Sequence, residues 1–219
     1  MLAELATTED TRERLIHAAG EIFAEKGFRS TTVREICDRA NANLAAVNYH
    51  FGDKFQLYLA AVEQAHCCPV QFQNVEWPAH FTVREKLHAF VETMLANHLD
   101  AQRPEWHNKL MLRELSDPTA ACAQLVDAHI RPSANILWKI LEELRPEEMT
   151  EEEGWLVGFS IVGQCLFYKI NKPIAALLMG RDKFDQVTIQ QLADHITRFS
   201  LAALGAAPHL GRPTQESRS

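Results

Sequence analysis

The stretch from Ser30 to Lys54, STTVREICDRANANLAAVNYHFGDK, decides the fold because it predicts two short helices joined by a tight polar turn. In the first helix, apolar residues recur at three- and four-residue spacing and charged residues occupy the opposite face. Thr32 and Glu35 form a capping-box pattern at its start. Asn41 can adopt the left-handed backbone of a sharp turn, and Asn43 can cap the next helix. The pattern is that of a helix-turn-helix.

The second helix of this pair, from Leu44 to about Phe51, has features of a helix that reads DNA. Val47 and Phe51 can anchor it to a core, which leaves the other positions free to face outward: Leu44, Ala45, Ala46, Asn48, Tyr49 and His50. Small residues near a helix N-terminus let the backbone approach base edges, and Tyr and His side chains can donate to phosphates. The alternative is that Tyr49 and His50 are ordinary packing residues of a small three-helix unit.

Lys54 adds a cation at the start of the following helix, where a lysine opposes the helix dipole. Binding of a phosphate by its amine and the neighbouring backbone N–H groups would offset that cost. The chain has a net charge of −7, and its first 66 residues hold seven Lys and Arg against ten Asp and Glu. Any contact with DNA must therefore be local, through helix N-termini and a few side chains.

Residues from about Thr11 to Tyr58 resemble the DNA-binding domain of the tetracycline-repressor (TetR) family of transcription regulators. The resemblance rests on FAEKGF at Phe23 to Phe28, on TTVREI, and on AAVNYHFGDK with Leu57 following. The chain departs from the family pattern at Asn41, where glycine is usual, and at Asn48, where tyrosine is common. The segment AAVNYHFG, at Ala45 to Gly52, further resembles the CecR-like branch of the family.

This resemblance implies binding of double-stranded operator DNA by a homodimer. It implies that Arg34 reaches a base edge and that Lys54 binds a phosphate, although Arg34 considered alone could be only a solvated helix charge. The DNA-binding residues predicted from the pattern and the resemblance together are Thr32, Arg34, Asn43, Leu44, Ala45, Ala46, Asn48, Tyr49, His50 and Lys54.

Helical period continues through the rest of the chain, and no segment shows the sustained alternation of a strand. We therefore predict an all-α protein with an N-terminal helix-turn-helix domain of three helices at residues 1–66 and a larger helical domain for ligand binding and dimerisation at 67–205. A disordered tail is expected at 206–219. The prolines and mixed period from Pro69 to Phe81 favour a domain boundary there or just before it.

Outside the helix-turn-helix pair, the pattern predicts helices at about Asp10–Lys26, from Asp53, from Val83, and at Pro104–Leu115, Pro118–Leu144, Glu152–Ile170 and Gln186–Leu204. Gly27 is expected to stop the first, and Pro132 to bend or interrupt the helix that contains it. Thr150 begins a second capping box. The segment from Asn171 to Asp185 is expected to be a loop with about one helical turn.

The larger domain has polar and aromatic residues inside apolar stripes, which together suggest a cavity for a small effector whose identity the sequence does not define. The candidates are Phe90, Met94, His98, Trp106, Met111, Glu114, Trp138, Gln164, Phe167 and Tyr168. For any one of them, an ordinary core position is the alternative. The last two long helices carry more apolar surface than one subunit can cover, which favours a dimer interface at Phe159, Val162, Leu166, Leu192, Ile196 and Phe199.

Composition excludes several other classes of protein. No apolar run of about 18 residues and no secretory leader is present, so we expect a cytoplasmic protein without a membrane span. The five cysteines lack CxxC spacing and the ten histidines are irregularly spaced, so neither a disulfide framework nor a metal site is expected. A redox role for the adjacent Cys67 and Cys68 is the open alternative to ordinary thiols.

An enzyme is the first competing class of function. The chain has no glycine-rich phosphate loop, GxSxG elbow or HExxH pair, so no enzymatic activity and no cofactor are predicted. A protein-interaction module without DNA binding is the second. It would account for the helices and the acidity, but not for the clustering of Thr32, Asn43, Tyr49, His50 and Lys54 at one end of the chain.

Overall fold

The computed structural model describes residues 2–66, 77–144 and 149–205, with side chains from residue 10 onward. Throughout these ranges the regular elements are helices, which confirms the all-α prediction. Cys67, Cys68 and the tail from residue 206 lie outside the described residues, so the predictions for them stay predictions.

The described helices, in chain order, are α1 Leu2–Ser30, α2 Val33–Ala40, α3 Leu44–Phe51, α4 Lys54–Ala65, α5 Val83–His98, α6 Glu105–Ser116, α7 Ala120–Leu125, α8 Arg131–Leu144, α9 Glu151–Ile170, α10 Lys172–Met179, α11 Arg181–Phe184 and α12 Ile189–Ala203. A π-helical turn, Val126–Ile130, joins α7 to α8. None of these helices is both long enough and apolar enough to cross a membrane.

The chain forms two compact units that are not contiguous in sequence. The first contains α1 to α4 together with residues 101–131, and the second contains α5 together with the chain from residue 132 onward. The first division of the chain falls close to the predicted boundary after residue 66, but residues 101–131 return to the first unit, because α6 and α7 pack with the N-terminal helices. Trp106, Leu110 and Leu125 are buried in the same core as α1 and α4.

An aromatic cluster fills the centre of the first unit and positions the helix-turn-helix. Phe23 of α1 meets Tyr58 of α4 edge-on, with 4.8 Å between the ring centroids, and Phe28 lies 5.0 Å from the Tyr58 ring. Ile36 of α2 and Val47 of α3 are buried in the same core. Two short helices thus gain their stability mainly by packing an apolar stripe on α1 and α4, as expected for helices of eight residues.

Two residues that break helices act where the sequence indicated. Gly27 leaves the helical conformation with φ 78° and ψ 168°, a backbone region that favours glycine, so α1 kinks there. Pro132 lies in the first turn of α8, directly after the π-helical turn, in which the Arg131 N–H donates to the carbonyl of Val126. Pro132 therefore interrupts the predicted long helix, and the wider turn accommodates a residue without an N–H.

The prediction of a loop from Asn171 to Asp185 is wrong. This segment forms α10 and α11, separated by Gly180 at φ 90°. Pro173 lies in the first turn of α10, where its missing N–H would have had no partner within the helix.

Candidate nucleic-acid interface

The turn between α2 and α3 has the geometry that the sequence indicated. Asn41 adopts the left-handed conformation with φ 48° and ψ 51°, and the next N–H, that of Ala42, donates to the carbonyl of Cys37 at 3.0 Å. The side chain of Asn43 accepts a hydrogen bond of 2.8 Å from the N–H of Ala46, which caps α3. The chain therefore reverses within three residues, and α3 begins with the exposed residues Leu44 and Ala45.

The start of α2 is held by a charged capping box. The Glu35 N–H donates to the Thr32 hydroxyl at 3.3 Å, and the Thr32 N–H donates to the Glu35 carboxylate at 3.0 Å. Lys26 of α1 donates to the same carboxylate at 2.6 Å. These donors, with Lys26 first, lower the pKa of Glu35 from 4.5 to about 2. The cluster of Lys26, Thr32 and Glu35 therefore holds α2 against α1, and α3 packs against both of these helices.

Helix α3 presents most of its surface to solvent. Val47 is its only buried residue, at 1% exposure, whereas Tyr49 is 78% exposed and Leu44 is 55% exposed. Asn43, Ala45 and Asn48 are also exposed, and Ala46 and His50 are half-buried. Thr32 and Arg34 are exposed on α2. An exposed tyrosine and leucine on a helix of eight residues are unusual for packing alone, so this surface is a candidate contact surface.

Lys54 has a partner in its own chain. Its ammonium lies 4.5 Å from the centroid of the Phe28 ring, and Arg12 lies 5.5 Å from the centroid of the Phe51 ring. Desolvation lowers the pKa of Lys54, and the charge of Glu35 opposes that shift. The cation–π contact positions the lysine at the N-terminus of α4, beside the C-terminal end of α3.

Two arginines of the first unit were not singled out from the sequence, and the backbone partners of one of them, Arg113, are distant in sequence. Arg113 of α6 donates to the backbone carbonyls of Ala24 at 3.3 Å and Glu25 at 3.0 Å, near the kink of α1. Arg29 is exposed and makes no ion pair with a described residue, so it is a further cation beside the helix-turn-helix. The flanking charges could have indicated Arg29, but no local pattern indicates Arg113.

The predicted effector residues do not form one group. Trp106, Met111 and Glu114 belong to the first unit and are buried in it. Trp106 covers Gly20 of α1, where an added Cβ would lie 2.3 Å from the indole ring. These three residues are therefore corrected from effector candidates to core positions. Their place inside an apolar stripe indicated that they are buried, but they are buried in the DNA-binding unit and not in the larger domain.

The remaining seven effector candidates lie in the second unit: Phe90, Met94, His98, Trp138, Gln164, Phe167 and Tyr168. Phe90 is fully buried, and the Nδ1 atom of His98 lies 3.5 Å from the Nζ atom of Lys169. Trp138 stacks on Trp155 at 5.3 Å and covers Gly154. An open groove of about 560 Å³ lies elsewhere, along the start of α12, and is lined by Val187, Gln191, Leu192, Asp194, His195 and Arg198.

The six predicted dimer residues divide by exposure. Phe159 is 64% exposed and Phe199 is 58% exposed, while Val162 and Leu166 are half-buried. Leu192 and Ile196 are buried within the second unit at 8% and 0% exposure. These two are therefore corrected to core positions, since the stripe they form on α12 faces its own subunit. Among the described residues, no three His, Cys, Asp or Glu side chains are grouped so that they could hold a metal ion.

The fold and this surface define a helix-turn-helix DNA-binding protein. Residues 15–61 match the family model of the tetR family of bacterial regulatory proteins, and residues 83–204 match the model of the C-terminal domain of the HTH-type transcriptional dual regulator CecR. The second match alone spans more than half of the chain. The chain therefore belongs to the TetR family of transcriptional regulators, in its CecR-like branch.

Individual relatives agree with this assignment over most of their length. The HTH-type transcriptional dual regulator CecR of Shigella flexneri is 25% identical over 203 residues, which cover 86% of this chain and 89% of that protein. The repressor NicS of Pseudomonas putida is 23% identical and covers 89% and 91% of the two chains. The solved structure of HlyIIR, a hemolysin II transcriptional regulator, shares the fold with a TM-score of 0.57 at 20% identity, over 87% of this chain and 98% of its own.

Proposed function

We propose that this regulator is a repressor that acts as a homodimer on a near-palindromic operator in the bacterial cytoplasm and is released by a small-molecule effector. The observation that carries the proposal is α3, which is anchored by the single buried residue Val47 and exposes Leu44 and Tyr49. A capped helix of this kind enters a major groove with its N-terminal residues at the base edges. The proposed DNA-binding residues are those predicted from the sequence.

The charge distribution supports specific rather than general DNA binding. Of the seven cations in the first 66 residues, Arg14, Lys26 and Arg39 form ion pairs within the unit. Arg29 and Arg34 are exposed and make no ion pair with a described residue. With so few available cations, non-specific affinity for phosphates is low, and binding depends on two correctly spaced half-sites.

The proposed dimer forms through α9 and α12, the arrangement of a four-helix bundle about a two-fold axis. The exposed phenylalanines Phe159 on α9 and Phe199 on α12 support it. Changing Phe199 to Asp would place an unpaired charge in that interface and convert the dimer to monomer in sedimentation experiments. A dimer that is unchanged by Phe199→Asp would place the interface elsewhere.

The proposed effector site lies in the second unit, among the seven candidates that remain there. His98 of α5 and Lys169 of α9 supply polar groups 3.5 Å apart, and the apolar Phe90 lies on the same helix as His98. The effector would release DNA by binding better to a dimer whose two α3 helices have the wrong separation. No enzymatic step is proposed, and the relatives named above are regulators.

A gel shift with DNA from the protein's own promoter region tests the proposal. We expect a retarded protein–DNA complex. A short competitor DNA that contains only one half-site should displace the operator poorly, because the dimer binds two half-sites. An extract or compound library is then screened for loss of the complex. Failure to bind any fragment of the promoter region would favour the protein-interaction alternative, and an effector that binds without altering DNA affinity would refute release by effector.

A further inference from the structure

Helix α9 exposes a narrow apolar stripe with internal symmetry. The four large apolar residues that it exposes are Leu156, Phe159, Phe167 and Ile170, at 64%, 64%, 46% and 43% exposure. At 3.6 residues per turn they share one face of the helix with Gly163. Leu156 and Ile170 lie seven residues on either side of Gly163, and Phe159 and Phe167 lie four residues on either side.

Packing within its own subunit does not require a glycine at position 163. It lies in the interior of α9, where glycine is less favourable to a helix than alanine. It is exposed, and a Cβ built there would meet nothing within 4 Å. A glycine at the centre of an apolar stripe permits the close approach of a second helix backbone.

A second feature follows α9 directly. Helix α10 exposes Ile174, Leu177, Leu178 and Met179 at 54%, 70%, 82% and 51%, so its apolar side is uncovered in one subunit. It begins at the exposed Lys172, and the segment from Lys169 to Asp185 carries four cations (Lys169, Lys172, Arg181, Lys183) against two carboxylates (Asp182, Asp185). The opposite end of α9 carries the exposed carboxylates Glu151, Glu152 and Glu153.

We propose that two copies of this chain pair antiparallel through α9 with the two-fold axis at Gly163, and that α10 of each copy packs on the acidic start of the partner's α9. In this register Leu156 lies opposite Ile170 of the partner subunit, and Phe159 lies opposite Phe167 of the partner subunit. This register assigns the exposed Phe167 to the dimer interface, which leaves six of the seven effector candidates for the effector site. A two-fold axis requires such self-complementary pairs. Glu152 continues the stripe one turn before Leu156, so it meets the first turn of the partner's α10, where Lys172 lies.

The inference rests on the dimer under Proposed function and adds its register and the α10 contact. A charge-reversal experiment separates the two. Within one subunit Glu152 and Lys172 lie at opposite ends of a helix about 30 Å long, so neither can reach the other except across the dimer. Lys172→Glu and Glu152→Lys should each raise the dimer dissociation constant roughly tenfold, measured by sedimentation at low salt. An equimolar mixture of the two variants should form heterodimers with near wild-type affinity.

The apolar contact is tested with the double variant Leu177→Gln, Leu178→Gln, for which we expect the dimer dissociation constant to rise about a hundredfold. Leu115→Gln on α6 is the matched control, since Leu115 is 53% exposed and lies in the first unit. Phe159→Asp should abolish the dimer. If Phe159→Asp gives monomers while the α10 variant and both charge reversals leave the dimer unchanged, the α10 contact is refuted and the α9 dimer stands. If Phe159→Asp leaves the dimer intact, the proposed dimer fails together with this inference.

Discussion

Tyr58 of α4 donates the hydrogen of its phenol to the carboxylate of Glu114 on α6. Glu114 has no exposed surface, and it also accepts hydrogen bonds of 2.9 Å from the N–H and the hydroxyl of Thr119. Burial, followed by the Glu114 carboxylate, raises the pKa of the Tyr58 phenol. This hydrogen bond joins α4, the last helix of the helix-turn-helix domain, to α6, so α6 is part of the same compact unit as the DNA-binding helices.

Replacing Tyr58 with Phe should lower the free energy of unfolding by about 1–3 kcal/mol, because the buried Glu114 loses a donor that water cannot replace. Urea titration followed by circular dichroism measures the change. Tyr49→Phe is the matched control, since Tyr49 is 78% exposed, and it should change stability by less than about 0.5 kcal/mol. Equal stability of the two variants would show that the Tyr58 hydrogen bond contributes nothing net.

The capped elements could be predicted from the sequence because each depends on residues within one turn of the chain. The Thr32–Glu35 and Thr150–Glu153 boxes and the left-handed Asn41 are of this kind. The Tyr58–Glu114 bond joins residues 56 apart, and no local pattern encodes it. Periodicity showed that Glu114 is buried, but not which core it joins.

The same limit explains the errors in the second unit. Ile196 and Phe199 are three residues apart on α12, yet Ile196 is buried and Phe199 is exposed. The face of α12 that packs on the core of its own subunit includes Ile196 but does not extend to Phe199. The segment from Asn171 to Asp185 was predicted to be a loop, although Pro173 and Gly180 are residue types that often begin and end a helix. In the structure these residues lie at the two ends of α10. A helix of eight residues completes only about two turns, which is too few for its periodicity to be recognised in the sequence.

Gly20 should not tolerate even the smallest side chain. A Cβ there would lie 2.3 Å from the indole ring of Trp106. Trp106 is buried in the core of the first unit, so its ring has no space into which it could move. Gly20→Ala should therefore destabilise the protein by about 1–3 kcal/mol, despite the higher helix propensity of alanine. Thermal unfolding measures this. In a Trp106→Leu background the same Gly20→Ala change should cost little or become stabilising; the same cost in both backgrounds would show that the clash is not the cause.

The Glu35 cluster gives a prediction about pH. The pKa of Glu35 is lowered from 4.5 to about 2 in the folded protein, so its ionised form stabilises the fold above about pH 4.5, and that stability is lost as the pH falls towards 2. Glu35→Gln removes this contribution. We expect the wild type to be more stable than Glu35→Gln at neutral pH, with a difference that shrinks at acidic pH in urea titrations. Glu25→Gln, on the exposed surface of α1, is the control and should show no such convergence; convergence in both variants would assign the effect to general charge.

The recognition helix gives the sharpest functional prediction, because two kinds of contact should respond differently. Tyr49→Phe, His50→Ala and Lys54→Ala should weaken binding to all operator sequences alike, since phosphates carry no sequence information. Loss of the Lys54 cation should also flatten the salt dependence by about one unit of slope. Binding of each variant to an operator library at two salt concentrations measures both effects.

Changes at Ala46 and Arg34 should instead alter preference among operator variants. Ala46 is half-buried near the start of α3, and Arg34 is exposed on α2. Replacing Ala46 with a larger side chain, or Arg34 with Ala, should change discrimination by about 1–3 kcal/mol at each base pair whose edge is read. Leu44 and Ala45 can add apolar contacts to thymine methyl groups, and we expect smaller effects from them. If Tyr49→Phe shifted sequence preference while the Ala46 and Arg34 changes left it untouched, the roles assigned along α2 and α3 would be wrong even though the fold is right.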